Sequence, residues 1–180
     1  MIRLTELLNR SLFKEVKKLR VWDFDDTLVK TKSFIYITHK DGKKSKLTPG
    51  EYATYKERPG DEFDYSDFQQ VKDPTEIKKM TKVFKTMAQR SKGDLFILTA
   101  RAAYKPVKDY LKDIGVKNVF VVALASNNPQ DKADWIEDKI DNDGYDDIFF
   151  ADDSPKNVSV TKKMLSSKPN IKYRVQHIKY

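Results

Sequence analysis

The sequence contains no cysteine and only two histidines, and each scarcity excludes a class of function. Without cysteine, the chain cannot form disulfides, attack a substrate with a thiolate or hold zinc through sulfur ligands. A metal site built from several imidazoles is not expected, because histidine occurs only at His39 and His177. The sequence also has no apolar run as long as a membrane span, and its N-terminus has no apolar block like that of a signal peptide. We therefore expect a soluble cytoplasmic protein.

The length and the charge of the chain indicate its number of domains and the partners that it favours. Its 180 residues suit one domain, which we place at 1–180. The net charge is +8 and the isoelectric point is about 9.4. From Ser154 onward there are seven lysines or arginines and no acidic residue. Such a surface favours a polyanionic partner, nucleic acid among them, but it is equally typical of a lysine-rich solvated surface.

Apolar runs alternate with helical patterns along most of the chain. The patterns predict helices over 3–19, 74–90, 104–114, 129–140 and 154–165. They predict strands over 20–24, 95–98, 118–124, 147–151 and 173–178. Unbroken apolar strands separated by helices indicate a parallel sheet that is covered on both faces. The predicted fold class is therefore α/β, a three-layer Rossmann-like parallel sheet with helices on both faces.

The segment 31–72 interrupts this alternation after the first core strand. Within 33–48, the run SFIYIT, the turn-like KDGKK and the run KLT predict a β-hairpin. Thr48, with Glu51 three residues later, is typical of a helix start. Residues 59–73 are acidic and aromatic and show no clear period. We predict a flap or small cap-like insertion here, rather than a lid domain.

Polar side chains follow the ends of three predicted strands and open one predicted helix. They are Asp23, Asp25 and Thr27 after the first strand, Thr99 after the second, Asp152 and Asp153 after a later one, and Lys132 on the helix. In parallel sheets, ligands bind beyond the carboxyl ends of the strands, so we expect these side chains to meet at one edge. Carboxylates packed this closely repel one another unless a cation or a proton lies among them.

Four motifs, in this order, resemble those of the haloacid dehalogenase (HAD) superfamily of phosphatases. They are DFDDTLV at 23–29, ILTAR at 97–101, Lys132 within DKADWI, and DDSPKN at 152–157. More loosely, LTPGEYATYK followed by GDEFDYSDF is similar to uncharacterised phage-encoded members, which would place the protein in a host cytoplasm. The resemblance implies a Mg²⁺-dependent phosphomonoester hydrolase that forms an aspartyl-phosphate intermediate.

The resemblance also assigns roles to individual residues. Asp23 matches the nucleophile and Asp25 the general acid/base, whose protonated form neighbouring carboxylates would favour. Magnesium prefers oxygen ligands, and the implied set is Asp23, Asp152 and the backbone carbonyl of Asp25. Lys132 matches the lysine that balances charge between the nucleophile and the phosphoryl group, and Thr99 matches the catalytic hydroxyl.

Several further residues are candidates around this centre. The expected phosphate-binding set is Thr27, Thr99, Ala100 and Arg101. Asp153 either assists Asp152 at the metal or caps the helix that follows, and Asn157 is as consistent with a structural role as with a functional one. Asp26 receives no chemical role, because an aspartate after a strand is typical of a turn.

Two other functions and two substrate classes remain open on the sequence. A receiver domain of two-component signalling also uses Asp, Thr and Lys, but its acidic pair comes first, whereas here the acidic pair comes last. A non-catalytic basic nucleic-acid-binding module on the same fold is the second alternative. For the enzyme, the substrate is a nucleotide or a nucleic-acid end. Tyr36, Tyr52, Tyr55 and the lysines of KDGKKSK are candidates for its contacts, although packing of the flap on the core is the simpler explanation of the tyrosines.

Overall fold

The computed structural model describes residues 15–52, 54–90 and 93–179, and a five-stranded parallel sheet lies at its centre. Its strands are β1 (Lys18–Trp22), β7 (Asp94–Thr99), β8 (Phe120–Ala123), β9 (Asp147–Asp152) and β10 (Lys172–His177). Their order across the sheet is β10-β9-β1-β7-β8, and every neighbouring pair is parallel. The sheet therefore brings the ends of β1, β7 and β9 side by side, with β1 between the other two.

Helices flank this sheet and bury two apolar clusters against it. The helices are α2 (Lys78–Arg90), α3 (Lys105–Asp113), α4 (Pro129–Asp143) and α5 (Pro155–Ser166). Val21 and Leu98 pack with residues of α4 and α5, whereas Trp22 and Ile97 pack with residues of α2 and α3. Because successive strand residues point to opposite faces, this alternation explains why the strands are apolar throughout. Among the described residues, no helix has the length and apolar character that crossing a membrane requires.

The structure confirms the predicted core strands and helices to within a few residues, with errors at two of the helices. The helix predicted over 74–90 begins only at Lys78, and Thr75–Glu76 form a short strand instead.

Most of the helix predicted over 3–19 lies outside the described residues, but its last two positions, Lys18 and Leu19, belong to β1. Leu19 is fully buried and pairs with Asp94 on one side and Ile148 on the other. The helix prediction failed here because it used only the spacing of apolar residues within one segment. Burial of Leu19 between two neighbouring strands favours the strand instead.

Between β1 and α2, the chain builds a second, antiparallel sheet. Its strands are β3 (Ile35–Thr38), β4 (Lys44–Leu47) and β5 (Glu62–Asp64), in the order β4-β3-β5. A two-stranded ribbon, β2 (Val29–Lys30) with β6 (Thr75–Glu76), lies at its base. The hairpin predicted within 33–48 is confirmed. The third strand, β5, lies in the acidic stretch whose pattern predicted no element.

A short helix, α1 (Pro49–Tyr52), and a 3₁₀ helix (Ser66–Gln69) complete this insertion. The start of α1 is the predicted capping box. The Thr48 amide donates to the Glu51 carboxylate at 2.8 Å, and the Glu51 amide donates back to the Thr48 hydroxyl at 3.3 Å.

Buried or half-buried acids hold the parts of the insertion together. The carboxylate of Asp61 contacts His39 Nδ1 at 2.7 Å and accepts from the Tyr55 hydroxyl at 2.6 Å. The Tyr55 hydrogen bond is the main cause that lowers the pKa of Asp61. The buried Asp67 accepts from the Phe34 amide and from Lys72. These bonds join β3, β5 and the 3₁₀ helix into one unit beside the core sheet.

Candidate active site

The three central strands end at a cluster of buried polar side chains. Asp23 directly follows β1, Thr99 is the last residue of β7, and Asp152 is the last residue of β9. All three are at most 7% exposed. The amide of Asp23 donates to the carbonyl of Ala151 at 2.9 Å, which continues the pairing of β1 with β9 beyond the strand end. The structure thus brings together the side chains that the sequence predicted at one edge of the sheet.

Lys132 lies between two of these carboxylates. It occupies the first turn of α4, a helix that Asn128 caps and Pro129 begins. Its ammonium is 2.6 Å from Oδ1 of Asp23 and 2.7 Å from Oδ2 of Asp152. Burial alone would lower the pKa of Lys132, but the attraction of Asp152 and Asp23 raises it above its ordinary value. The lysine therefore stays charged and neutralises part of the acidic cluster.

Asp152 is held in place by the start of α5. Its Oδ1 accepts from the Ser154 amide at 2.8 Å, and the Asn157 side-chain amide lies 3.0–3.1 Å from both carboxylate oxygens. Ser154 is the residue that caps α5, through a bond from the Asn157 amide to its hydroxyl at 3.4 Å. The alternative in which Asp153 caps this helix is therefore wrong, and Asn157 orients Asp152.

A third carboxylate completes an acidic cluster. One oxygen from each of Asp23, Asp152 and Asp153 lies within 4.8 Å of the others, a grouping that could hold a metal ion. Burial, Asp152 and Asp26 raise the pKa of Asp153 to about 7. Burial likewise raises the pKa of Asp23, although Lys132 opposes the rise. One lysine cannot neutralise three carboxylates, so an added divalent cation would relieve the remaining repulsion.

Thr27 positions Asp153 and does not face the open pocket. The threonine is fully buried, and its hydroxyl donates to Oδ1 of Asp153 at 3.2 Å. The hydroxyl oxygen of Thr27 in turn accepts from the Asp153 amide at 3.1 Å. A hydroxyl engaged on both sides has no donor left for a phosphate, which corrects the phosphate contact expected from the sequence.

Asp25 lies next to a guanidinium rather than among carboxylates. Arg101 grips it with two bonds, from Nε to Oδ2 at 2.8 Å and from Nη2 to Oδ1 at 2.7 Å. The remaining donors of Arg101 reach the carbonyls of Phe68 at 3.2 Å and Gln70 at 2.7 Å. Arg101 is 3% exposed, so it links Asp25 to the insertion. Arg101 also lines the pocket described below, and its contact with a phosphate stays a prediction.

A pocket of about 430 Å³ opens above these residues. Its floor includes Asp23, Asp25, Thr99, Ala100, Lys132, Asp152 and Asp153. Insertion residues also line it, among them Ile35, Pro49, Tyr52, Tyr55, Tyr65 and Phe68, and we call this part of the lining its wall. Tyr36 and the hairpin lysines Lys40, Lys43, Lys44 and Lys46 are not part of the lining.

Sequence reasoning missed two rings of this wall, Tyr65 and Phe68. Both lie in the stretch GDEFDYSDF, which shows neither helical nor strand periodicity. The sequence signal for these two rings is that aromatic residues alternate with acids in this segment. A fully buried strand would not tolerate those charges, so the rings are expected on a partly exposed surface.

Comparisons of the chain with protein-family models, with curated proteins and with solved structures give no match.

The buried ion pairs of Lys132 give a prediction for stability. Lys132→Met should lower the free energy of unfolding at pH 7, without divalent cations, by about 3–5 kcal/mol, because it leaves buried carboxylates without their cation. Urea denaturation measures the change. Lys139→Met removes a partly exposed partner of Asp143 on the same helix and should cost less than about 1 kcal/mol.

A second change separates charge from packing at this position. Adding Asp152→Asn to the Lys132→Met variant should restore part of the lost stability, since it removes one of the unneutralised charges. Equal destabilisation by the two lysine substitutions, or a further loss in the double variant, would contradict the role given to Lys132.

Proposed function

We propose that this chain is a Mg²⁺-dependent phosphomonoester hydrolase of the HAD type that acts through an aspartyl-phosphate on Asp23. The observation that carries the proposal is the cluster of Asp23, Asp152 and Asp153, with the ammonium of Lys132 between the first two and with Asp25 in the same pocket. The four motifs contribute every one of these residues. In this proposal the helices form two outer layers around the sheet, and residues 31–72 are a flap over the site.

The donor set of the cluster suits magnesium. The ion prefers carboxylate and carbonyl oxygens and retains several waters, and this site offers only oxygen donors beside one lysine. Asp23 and Asp152, with the backbone carbonyl of Asp25, would hold it, and Asp153 adds a fourth oxygen source. The bound ion would neutralise the charge on a phosphoryl group.

Asp23 supplies the nucleophile of the proposed reaction. A carboxylate oxygen of Asp23 attacks phosphorus, the bond from phosphorus to the leaving oxygen breaks, and Asp25 donates a proton to that oxygen. Water then attacks the phosphorus of the aspartyl-phosphate and gives its proton to Asp25, which releases phosphate and regenerates both carboxyl groups. Lys132 stays charged throughout and stabilises the negative charge that develops next to Asp23.

Arg101 has a positioning role in this scheme. While both oxygens of Asp25 accept from the guanidinium, neither faces a leaving group as a proton donor. Asp25 must therefore loosen at least one of these bonds when it carries the proton. Because Arg101 also holds two carbonyls of the insertion, movement of that segment would affect the position of Asp25.

The nucleophile assignment gives a direct test. Asp23→Asn should lower kcat for a Mg²⁺-dependent phosphomonoester reaction by at least about three orders of magnitude, because an amide cannot form the acyl phosphate. Phosphate release from an aryl phosphate measures the rate. Asp26→Asn is the matched control, since it makes the same change three positions on, at a turn whose φ of 55° asparagine tolerates. A folded Asp23→Asn protein with nearly wild-type turnover would contradict the proposal.

The loss of kcat on substitution of Asp25 should depend on the leaving group of the substrate. Asp25→Asn should reduce kcat more for an alkyl phosphate than for an activated aryl phosphate, because the poorer leaving group needs the proton. Steady-state rates for both substrates measure the ratio, with Asp26→Asn again as the control. Equal losses on the two substrates would assign Asp25 a structural role and contradict the acid/base assignment.

A further inference from the structure

The wall that the insertion contributes to the pocket of the acidic cluster is mainly aromatic. Tyr52, Tyr55, Tyr65 and Phe68 all line the cavity that contains Asp23. Three of these rings pack around Phe63, whose ring centre lies 5.7 Å from that of Tyr52, 6.3 Å from Tyr55 and 6.2 Å from Tyr65. The insertion thus presents a supported group of rings to the same space as the proposed nucleophile.

The hydroxyls of these tyrosines already have partners in the protein. The Tyr52 hydroxyl bonds to the Tyr65 hydroxyl and to Glu57, and the Tyr55 hydroxyl donates to Asp61. Tyr65 nevertheless remains 43% exposed, a large fraction for a ring that lines a pocket. What this wall offers a ligand is therefore mainly ring surface.

We infer that the aromatic wall binds the planar base of a nucleotide whose phosphate lies at Asp23, an inference that rests on the proposed function. Base stacking on aromatic side chains is tolerant of base identity and contributes about 1–3 kcal/mol per base. The amides of Gln69 and Asn127 also line the pocket and can pair with the polar edge of a base. A sugar phosphate offers neither a flat face nor such an edge.

The size and the charge of the pocket fit one nucleotide. A volume of about 430 Å³ lies at the lower end of the range for small-molecule sites. Lys156 lines the pocket, is exposed and makes no ion pair with the described residues, so its ammonium can meet a second anionic group of the ligand. The base would come either from a free mononucleotide or from the terminal nucleotide of a strand.

Binding to the Asp23→Asn protein tests the inference without turnover. In Mg²⁺, isothermal titration should show that adenosine 5′-monophosphate binds more tightly than ribose 5-phosphate, which shares the phosphate and the sugar but has no base. Tyr65→Leu should weaken binding of the nucleotide by about 5- to 150-fold and leave binding of ribose 5-phosphate unchanged. Tyr65→Phe keeps the ring and should retain most of the affinity.

The control for surface tyrosines is Tyr173→Leu, at a similarly exposed position on β10 outside the pocket lining, which should change neither affinity.

A 5′-phosphorylated trinucleotide that binds more tightly than the mononucleotide identifies a strand end as the source, and equal affinity identifies the free nucleotide. Equal binding of nucleotide and ribose 5-phosphate, or equal effects of Tyr65→Leu on both, would overturn the inference. Failure of the proposed function would differ: base-dependent binding would persist while the wild-type protein hydrolysed no phosphomonoester.

Discussion

The buried ammonium of Lys132 between Asp23 and Asp152 is the interaction on which the rest of the site depends. Two buried carboxylates at the ends of neighbouring strands would repel each other, and the lysine lies 2.6 and 2.7 Å from them. Breaking such a buried pair is far more costly than losing a surface ion pair. The arrangement requires β1 beside β9 and the first turn of α4 above both, so the sheet order and the site constrain each other.

A second constraint connects the core with the insertion. Arg101 follows β7 in the chain. Its donors nevertheless reach Asp25, which comes shortly after β1, and the carbonyls of Phe68 and Gln70, which lie in and directly after the 3₁₀ helix. One buried side chain therefore connects Asp25 to the segment that contains Phe68 of the aromatic wall. Asp25, which is proposed to move the proton, and Phe68, which belongs to the wall proposed to hold the base, both bond to Arg101. We therefore expect binding of the base to be coupled to proton transfer.

The sequence predicted the residues at the strand ends because their positions follow from chain-local patterns. Unbroken apolar runs define the strands, parallel strands end at one edge, and Asp23, Thr99 and Asp152 come directly at those ends. The partners of Thr27 and Arg101 could not be predicted in this way. Each hydrogen-bonds to residues more than 70 positions away, so no local pattern reveals whether its side chain is free for phosphate. The strand β5 was missed for a related reason, since pairing with β3 stabilises an acidic segment that has no period of its own.

The most direct test of the central claim is a crystal structure with Mg²⁺ and beryllium trifluoride, which mimics a phosphoryl group bound to a carboxylate. The account predicts beryllium bonded to a carboxylate oxygen of Asp23, with Lys132 still in contact with that residue and a Mg²⁺ ion on Asp23 and Asp152. Beryllium fluoride on another side chain, or a metal ion that binds away from these carboxylates, would contradict it.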